Sequence, residues 1–176
     1  MATIFNTLLG SKVLLRSFAA TGITTEYISW LNDPQVVKYS NQRFICHTEE
    51  SCRRYLDSFT NTPNLFLSIQ RKADDRAVGT IVAYVFPHHK RADISIMIGN
   101  RSVWGGGIGQ DAWNTLLNWF IEQRRIRKVA AGAMRCNLPM IKLMERSGMT
   151  LEATRQKQEL LNEIPQDILL YGKFCE

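Results

Sequence analysis

The sequence is short of several things, and each shortage narrows what it can be. Its four cysteines, Cys46, Cys52, Cys136 and Cys175, show no metal-ligand spacing, so no metal site is expected. Free thiols are the expectation, which points to a reducing compartment, the cytoplasm. No apolar run is long enough to span a bilayer. The start, MATIFNTLLGSKVLL, lacks a basic opening and a small-residue cleavage site, so no secretory signal is expected. Repeats, low-complexity tracts and linkers are absent, and 176 residues suit one domain over 1–176. Acids are outnumbered by bases, leaving a net charge of +6 that favours anionic ligands. A nucleic acid is not an expected partner. The densest basic cluster, Arg124-Arg125-Ile126-Arg127-Lys128, falls where a helix should end, and there the helix dipole alone favours cations. No aromatic-and-basic stripe accompanies it.

What is present is 45% hydrophobic and 22% charged, as in a globular chain. It is organised around Ala92–Gly109, ADISIMIGNRSVWGGGIG. A short apolar run leads into a polar break and then four glycines in five positions. Behind it Trp113, Leu116, Leu117 and Phe120 recur at the spacing of one helical face. The order is strand, glycine loop, helix. Glycines let the backbone approach a ligand closely. The first N–H groups of the helix lack intrahelical partners and carry the positive dipole end. Together they predict a main-chain phosphate site. The stretch lacks the Lys-Ser/Thr ending of a nucleoside-triphosphate loop. It also sits too far along the chain for a dinucleotide fold.

The rest reads in order as follows. Lys12–Ser17 is a strand. Thr24 or Thr25 caps a helix carrying Tyr27, Ile28 and Leu31 on one side. Asn32-Asp33-Pro34 ends it, and Pro34 is placed to begin a second short helix capped by Asp33. Residues 38–47 are loop, and Glu49–Phe59 a third helix. Leu65–Gln70, Val78–Phe86 and Arg91–Ile98 are strands joined by turns at 71–77 and 87–90. After the long helix come a buried strand, Lys128–Met134, and a helix capped by Asn137, with Gly148 just past its end. Leu151–Leu161 and Asp167–Phe174 are strands joined by 162–166. The order β-ααα-βββ-α-β-α-ββ predicts a mixed sheet with helices on its faces.

VWGGGIGQDAW resembles the acyl-CoA pyrophosphate loop of the GNAT N-acetyltransferases, whose pattern is Arg/Gln-x-x-Gly-x-Gly/Ala. Gly107 and Gly109 match its glycines, and Trp104 stands at its first position. CNLPMIKLMERSGM is similar to a second segment of the ribosomal-protein and amino-sugar branch, with Asn137 and Gly148 matching. YISWLNDPQVVKY is similar to a third. The resemblance implies an α/β (α+β) fold: a mostly antiparallel central sheet, splayed at the acyl-CoA site, with helices on both faces. It implies acetyl transfer from acetyl-CoA to an amine by direct attack. The CoA-binding set it implies is Ile96, Met97, Ile98, Trp104, Gly105, Gly106, Gly107, Ile108, Gly109, Gln110, Asn137 and Lys142. The pantetheine arm would pair with the strand Ile94–Ile98, and an N–H near Ile96–Ile98 would polarise the thioester.

The catalytic candidates are His47, Tyr84 and Asn137. Histidine titrates near working pH, and His47 precedes the third helix, in the region that walls the acceptor pocket in this family. Glu49, Glu50, His88 and His89 are further candidates for a base, the last two favouring a solvated turn. The tyrosine that serves as general acid in many GNAT enzymes falls on Met144, which cannot donate. Cys136 and Ser147 lie nearby, and the acid stays unassigned. Trp30, Asn32, Tyr39 and Arg43 are the expected acceptor wall, suited to stacking on a sugar or base and to pairing with phosphate. The acceptor expected is a small-molecule amine, an amino sugar, nucleotide-linked. The alternatives are a protein N-terminus, as in the ribosomal branch, and a non-catalytic acyl-CoA-binding module. A homodimer through the C-terminal strands is a further expectation.

Overall fold

The structure, a computed structural model, describes residues 7–175. Residues 1–6, the start of the weakly patterned N-terminus, and residue 176 lie outside the described part. Eight strands form one sheet: β1 (Leu8–Leu9), β2 (Val13–Ser17), β3 (Leu65–Arg71), β4 (Ala77–Phe86), β5 (Arg91–Ile98), β6 (Lys128–Met134), β7 (Thr150–Leu161) and β8 (Ile164–Phe174). Their order is β1-β2-β3-β4-β5-β6-β8-β7. Every neighbouring pair is antiparallel except β5 and β6. The GNAT-like sheet architecture is as expected.

Helices cover both faces. On the back, α3 (Ile108–Asn118) and α4 (Leu138–Arg146) pack on the main core. Trp113, Leu116 and Leu117 of α3 are wholly buried there against Leu15, Ile69 and Ile81. On the front, α1 (Thr25–Leu31) and α2 (Glu49–Asp57) close a smaller cluster of Phe18, Tyr27, Trp30, Leu31, Cys52, Phe66 and Val82. Thr24 caps α1 by accepting the Tyr27 N–H at 3.1 Å. Thr48 and Ser51 form a reciprocal capping box on α2.

Two local expectations need correction. Pro34 starts no second helix. Asp33 caps a single turn, its carboxylate accepting the Gln35 N–H at 2.8 Å and its carbonyl the N–H groups of Val36 and Val37. Val37 alone is buried beyond it, so no apolar stripe carries the turn onward. The C-terminal connection is two residues, not five. Asn162 and Glu163 take φ of 50° and 64°, and Pro165 already pairs with Leu160. Proline is tolerated there because β8 meets its other neighbour, β6, only from Ile168 onward.

One carboxylate ties the glycine-loop helix to the sheet. Asp111, in the first turn of α3, accepts main-chain N–H groups of Ser11 (3.0 Å), Lys12 (2.7 Å) and Val13 (3.0 Å). Gly10 makes room, since a Cβ there would lie 2.5 Å from Asp111 Oδ2. The Lys12 amine then donates to the Gly106 carbonyl at 2.8 Å. Asp111→Ala should cost about 2 kcal/mol, because three donors lose a charged acceptor at a partly wet site. Urea unfolding should show a lower midpoint with an unchanged slope.

Candidate functional site

Strands β5 and β6 pair over three residues only: Arg91↔Lys128, Ala92↔Val129 and Asp93↔Ala130. Beyond Asp93 they part. β5 stays with β4 as far as Ile98, and β6 stays with β8 as far as Met134. The main-chain groups of β5 alternate in direction. Gly99 donates to Val78 at the end of β4 (2.9 Å), whereas Lys90 O accepts from Lys128 of β6 (3.3 Å). Even-numbered residues of β5 therefore aim N–H and C=O into the opening. Ile98 O is taken by the Trp104 indole N–H at 2.9 Å. That leaves both groups of Ile96 and the Ile98 N–H facing a gap without a strand. Met97, one of the expected CoA residues, is corrected. It aims its main chain at β4, and its side chain packs into the front cluster.

The glycine loop lies at the open end of this gap. Gly105 and Gly107 adopt φ of 77° and 79°, conformations that a Cβ would strain. Gly107 is the N-cap of α3. Two N–H groups in the expected anion cradle are already used: Trp104 donates to Arg101 O (3.1 Å) and Gly106 to Val103 O (3.2 Å). The donors left are that of Gly105 and those of Gly107, Ile108, Gly109 and Gln110, the last four being the unpaired first turn of α3. The Gln110 side chain turns away to Asn114 (3.2 Å) and Ser147 (2.8 Å). At Gly109 a Cβ would meet Ile98 Cγ1 at 3.4 Å, an ordinary packing contact.

The chain matches the acetyltransferase (GNAT) domain over residues 12–150. It belongs to the GNAT acetyltransferase family. It is therefore an acyltransferase with acetyl-CoA as co-substrate. No curated protein matches the sequence. Among solved structures it is similar to a GNAT acetyltransferase from Bacillus anthracis: 19% identity, 96% of this chain, 98% of that one, TM-score 0.82. It is similar also to RimL, a ribosomal L7/L12 alpha-N-protein acetyltransferase in complex with coenzyme A: 16%, 96%, 98% and 0.83. A third is the Vibrio cholerae spermidine N-acetyltransferase in complex with CoA and spermine: 14%, 94%, 96% and 0.82. At such identities the likeness is one of fold, and these proteins' acceptors are their own.

In this GNAT chain the front of the gap holds a residue that the sequence reading missed. Asp93 stands between Tyr84 of β4 and Ala130 of β6, where the strands begin to part. Its Oδ2 accepts from Arg91 at 3.3 Å. Its Oδ1 is covered and has no hydrogen-bond partner among the described residues. Burial pushes its pKa up, and the charges of Arg91 and Lys128 pull the other way. The signal was present as polar Arg91, Asp93 and Ser95 alternating with Ala92, Ile94 and Ile96. Tyr84 is beside it, its hydroxyl 3.1 Å from that of Tyr55.

A cavity of about 240 Å³ adjoins the free part of β6, lined by Tyr39, Asn41, Gly132, Ala133, Met134, Arg155, Gln158, Glu159 and Ile168. A larger one, about 590 Å³, lies between the 31–45 segment and the β7–β8 turn and includes no residue of β5 or β6. The smaller is the one that adjoins the parting of β5 and β6. Of the expected wall only Tyr39 lines it. Trp30 is corrected to a core residue, 8% exposed and packed so tightly on Gly99 that a Cβ there would come within 2.1 Å of its ring. Asn32 spends its amide on the main chain of His47, at 2.8 and 2.9 Å. Arg43 donates to Ser40 O and Leu160 O, at 2.8 and 2.7 Å. His47 lines neither cavity.

The other candidates resolve similarly. Glu49 and Glu50 face Arg53 and Arg54 on the exposed side of α2. His88 and His89 are exposed in the turn before β5. Met144 is wholly buried, and the Ser147 hydroxyl is enclosed by Gln110, Asn114 and the Leu143 carbonyl. Neither can protonate a thiolate in the gap. Asn137 caps α4 through the Met140 N–H at 3.3 Å, and Lys142 is exposed on α4. Gly107→Val should lower CoA affinity about ten-fold or more, by straining the left-handed cap and crowding the free donors. Calorimetry on the folded variant checks this, with Gly107→Asn, which tolerates positive φ, expected to lose less.

Proposed function

We propose that this GNAT enzyme acetylates a small polar amine, an amino sugar in nucleotide-linked form, seated in the cavity beside Gly132–Met134. The observation that carries the reading is the lining of that cavity. It combines Tyr39, an aromatic face with a polar tip, with Asn41 and Gln158 and one charge of each sign, Arg155 and Glu159. Arg155 makes no ion pair among the described residues, so it replaces Arg43 as the group for a phosphate. A second reading, a protein N-terminus, is favoured by the larger apolar cleft, in which Leu31, Val37, Phe44 and Leu160 could receive peptide side chains.

On this reading the pyrophosphate rests on the free donors of Gly107–Gln110, and the pantetheine amides pair with Ile96. Asn137 borders the arm near the sulfur, and Lys142 of α4 belongs to the same CoA-binding set. Asp93 accepts a proton from the amine as nitrogen attacks the thioester carbon. The C–N bond forms, the C–S bond breaks, and the Ile96 or Ile98 N–H holds the oxygen as charge develops on it. The thiolate takes a proton from water, and Asp93 returns the one it accepted to solvent.

Turnover of UDP- and dTDP-linked amino sugars, measured beside peptides with free N-termini, tests the acceptor. Saturation by the sugars is expected, with KM raised about ten-fold in Arg155→Ala. Saturable turnover of the peptides alone overturns the sugar reading. For the base, Asp93→Asn should lower kcat/KM by about two to four orders of magnitude. Because the folded pKa is raised, Asp93 becomes a usable base only above the ordinary carboxylate range of about 4. The wild-type rate should therefore carry an acid limb there, absent in Asp93→Asn and restored in Asp93→Glu. Ionising an acid whose folded pKa is raised costs stability as pH climbs, so Asp93→Asn should not lower the melting temperature.

A further inference from the structure

The end of the sheet remote from the glycine loop carries a row that no stretch of sequence contains. Phe86 pairs with Arg91, Arg91 with Lys128, and Lys128 with Phe174, across β4, β5, β6 and β8. Partners in register share a face, so these four side chains stand in line. The Arg91 guanidinium lies 4.2 Å from the Phe86 ring centre and the Lys128 amine 5.2 Å from that of Phe174. The two rings remain 38% and 48% exposed. Two basic segments border the row. Arg127 donates to His89 O at 3.4 Å, which joins the 124–127 connection to the turn before β5.

The charges here are unequally compensated. Arg91 faces Asp93 at 3.3 Å and Lys128 faces Glu152 at 2.7 Å. Lys90, Arg124, Arg125 and Arg127 are exposed and make no ion pair with any described residue. Glu122 is the one acid between Trp119 and Lys128. The seven-residue rise along β5 puts the row about 23 Å from Ile98, too far to serve the CoA pyrophosphate. Surplus cations beside partly exposed flat rings match a strand of phosphates and bases. A bilayer would call instead for an amphipathic helix or inserted apolar side chains.

We infer that this end of the sheet docks single-stranded nucleic acid, its phosphates on Lys90, Arg124, Arg125 and Arg127 and its bases stacked along Phe86, Arg91 and Phe174. The inference goes beyond the acetyl-transfer reading and does not depend on which amine is the acceptor. Fluorescence anisotropy of a short labelled RNA of mixed sequence, with the full chain at about 50 mM salt, tests it. The triple variant R124Q/R125N/R127Q should bind at least about ten-fold more weakly and flatten the log–log salt slope by about two. Asparagine is chosen at Arg125 because φ is 50° there. Phe86→Ser with Phe174→Ser should weaken the RNA about ten-fold and leave an abasic strand of equal length unaffected. CoA affinity of all variants should match wild type, which shows that the fold persists. Three results would each overturn the inference: no RNA binding by the wild type, equal affinity for RNA and abasic strand, or tighter binding to phosphatidylserine vesicles than to RNA.

Discussion

Three residues of parallel pairing hold β5 to β6, and the proposed acyl-CoA site depends on the pairing stopping there. A ladder that continued would satisfy the Ile96 and Ile98 main chain and leave nothing for a pantetheine arm to pair with. The opening is kept by what each strand does on its other side. β5 is held by β4 to its last residue, and β6 by β8 to Met134. At its far end β6 is turned into α4, where the Asn137 N–H closes on Met134 O at 2.8 Å. The unpaired edge, ordinarily a liability in a sheet, is on the proposed reading the surface that takes the pantetheine arm.

The phosphate end needs the same kind of restraint. A helix N-terminus attracts an anion only if its donors are left free and held still. The loop before α3 spends the N–H groups of Trp104 and Gly106 on its own folding and keeps the next four. Asp111 fastens the helix to the start of β2, and Lys12 fastens the loop from the other side. Both latches join residues about a hundred positions apart, so the glycine motif is only half of the device.

The front of the gap shows how position along a strand becomes chemistry. Asp93 faces Ala130 where the two strands begin to part, with its Oδ1 covered and unpartnered among the described residues. The same face, one pleat lower, carries the cation–aromatic row. Each uses side chains in register across strands far apart in sequence, and the sheet brings them into line.

The sequence by itself determined the strand, glycine loop and helix, the cap at Asn137, the choice of Thr24 or Thr25 as the cap of α1, and the family. These are local: a cap or a left-handed glycine acts within a few residues, and helical and strand periods can be read from their spacing. Only the tertiary structure decided which side chains are free to act. Trp30, Asn32 and Arg43 have the right chemistry for an acceptor wall. The fold commits the first to packing on Gly99 and the others to main-chain hydrogen bonds. Asp93 and Arg155 passed unnoticed in the sequence, because only packing leaves Asp93 Oδ1 without a partner and sets Arg155 at the cavity. A side chain's chemistry is written in its type. Its availability depends on contacts between distant residues, which spacing along the chain does not encode.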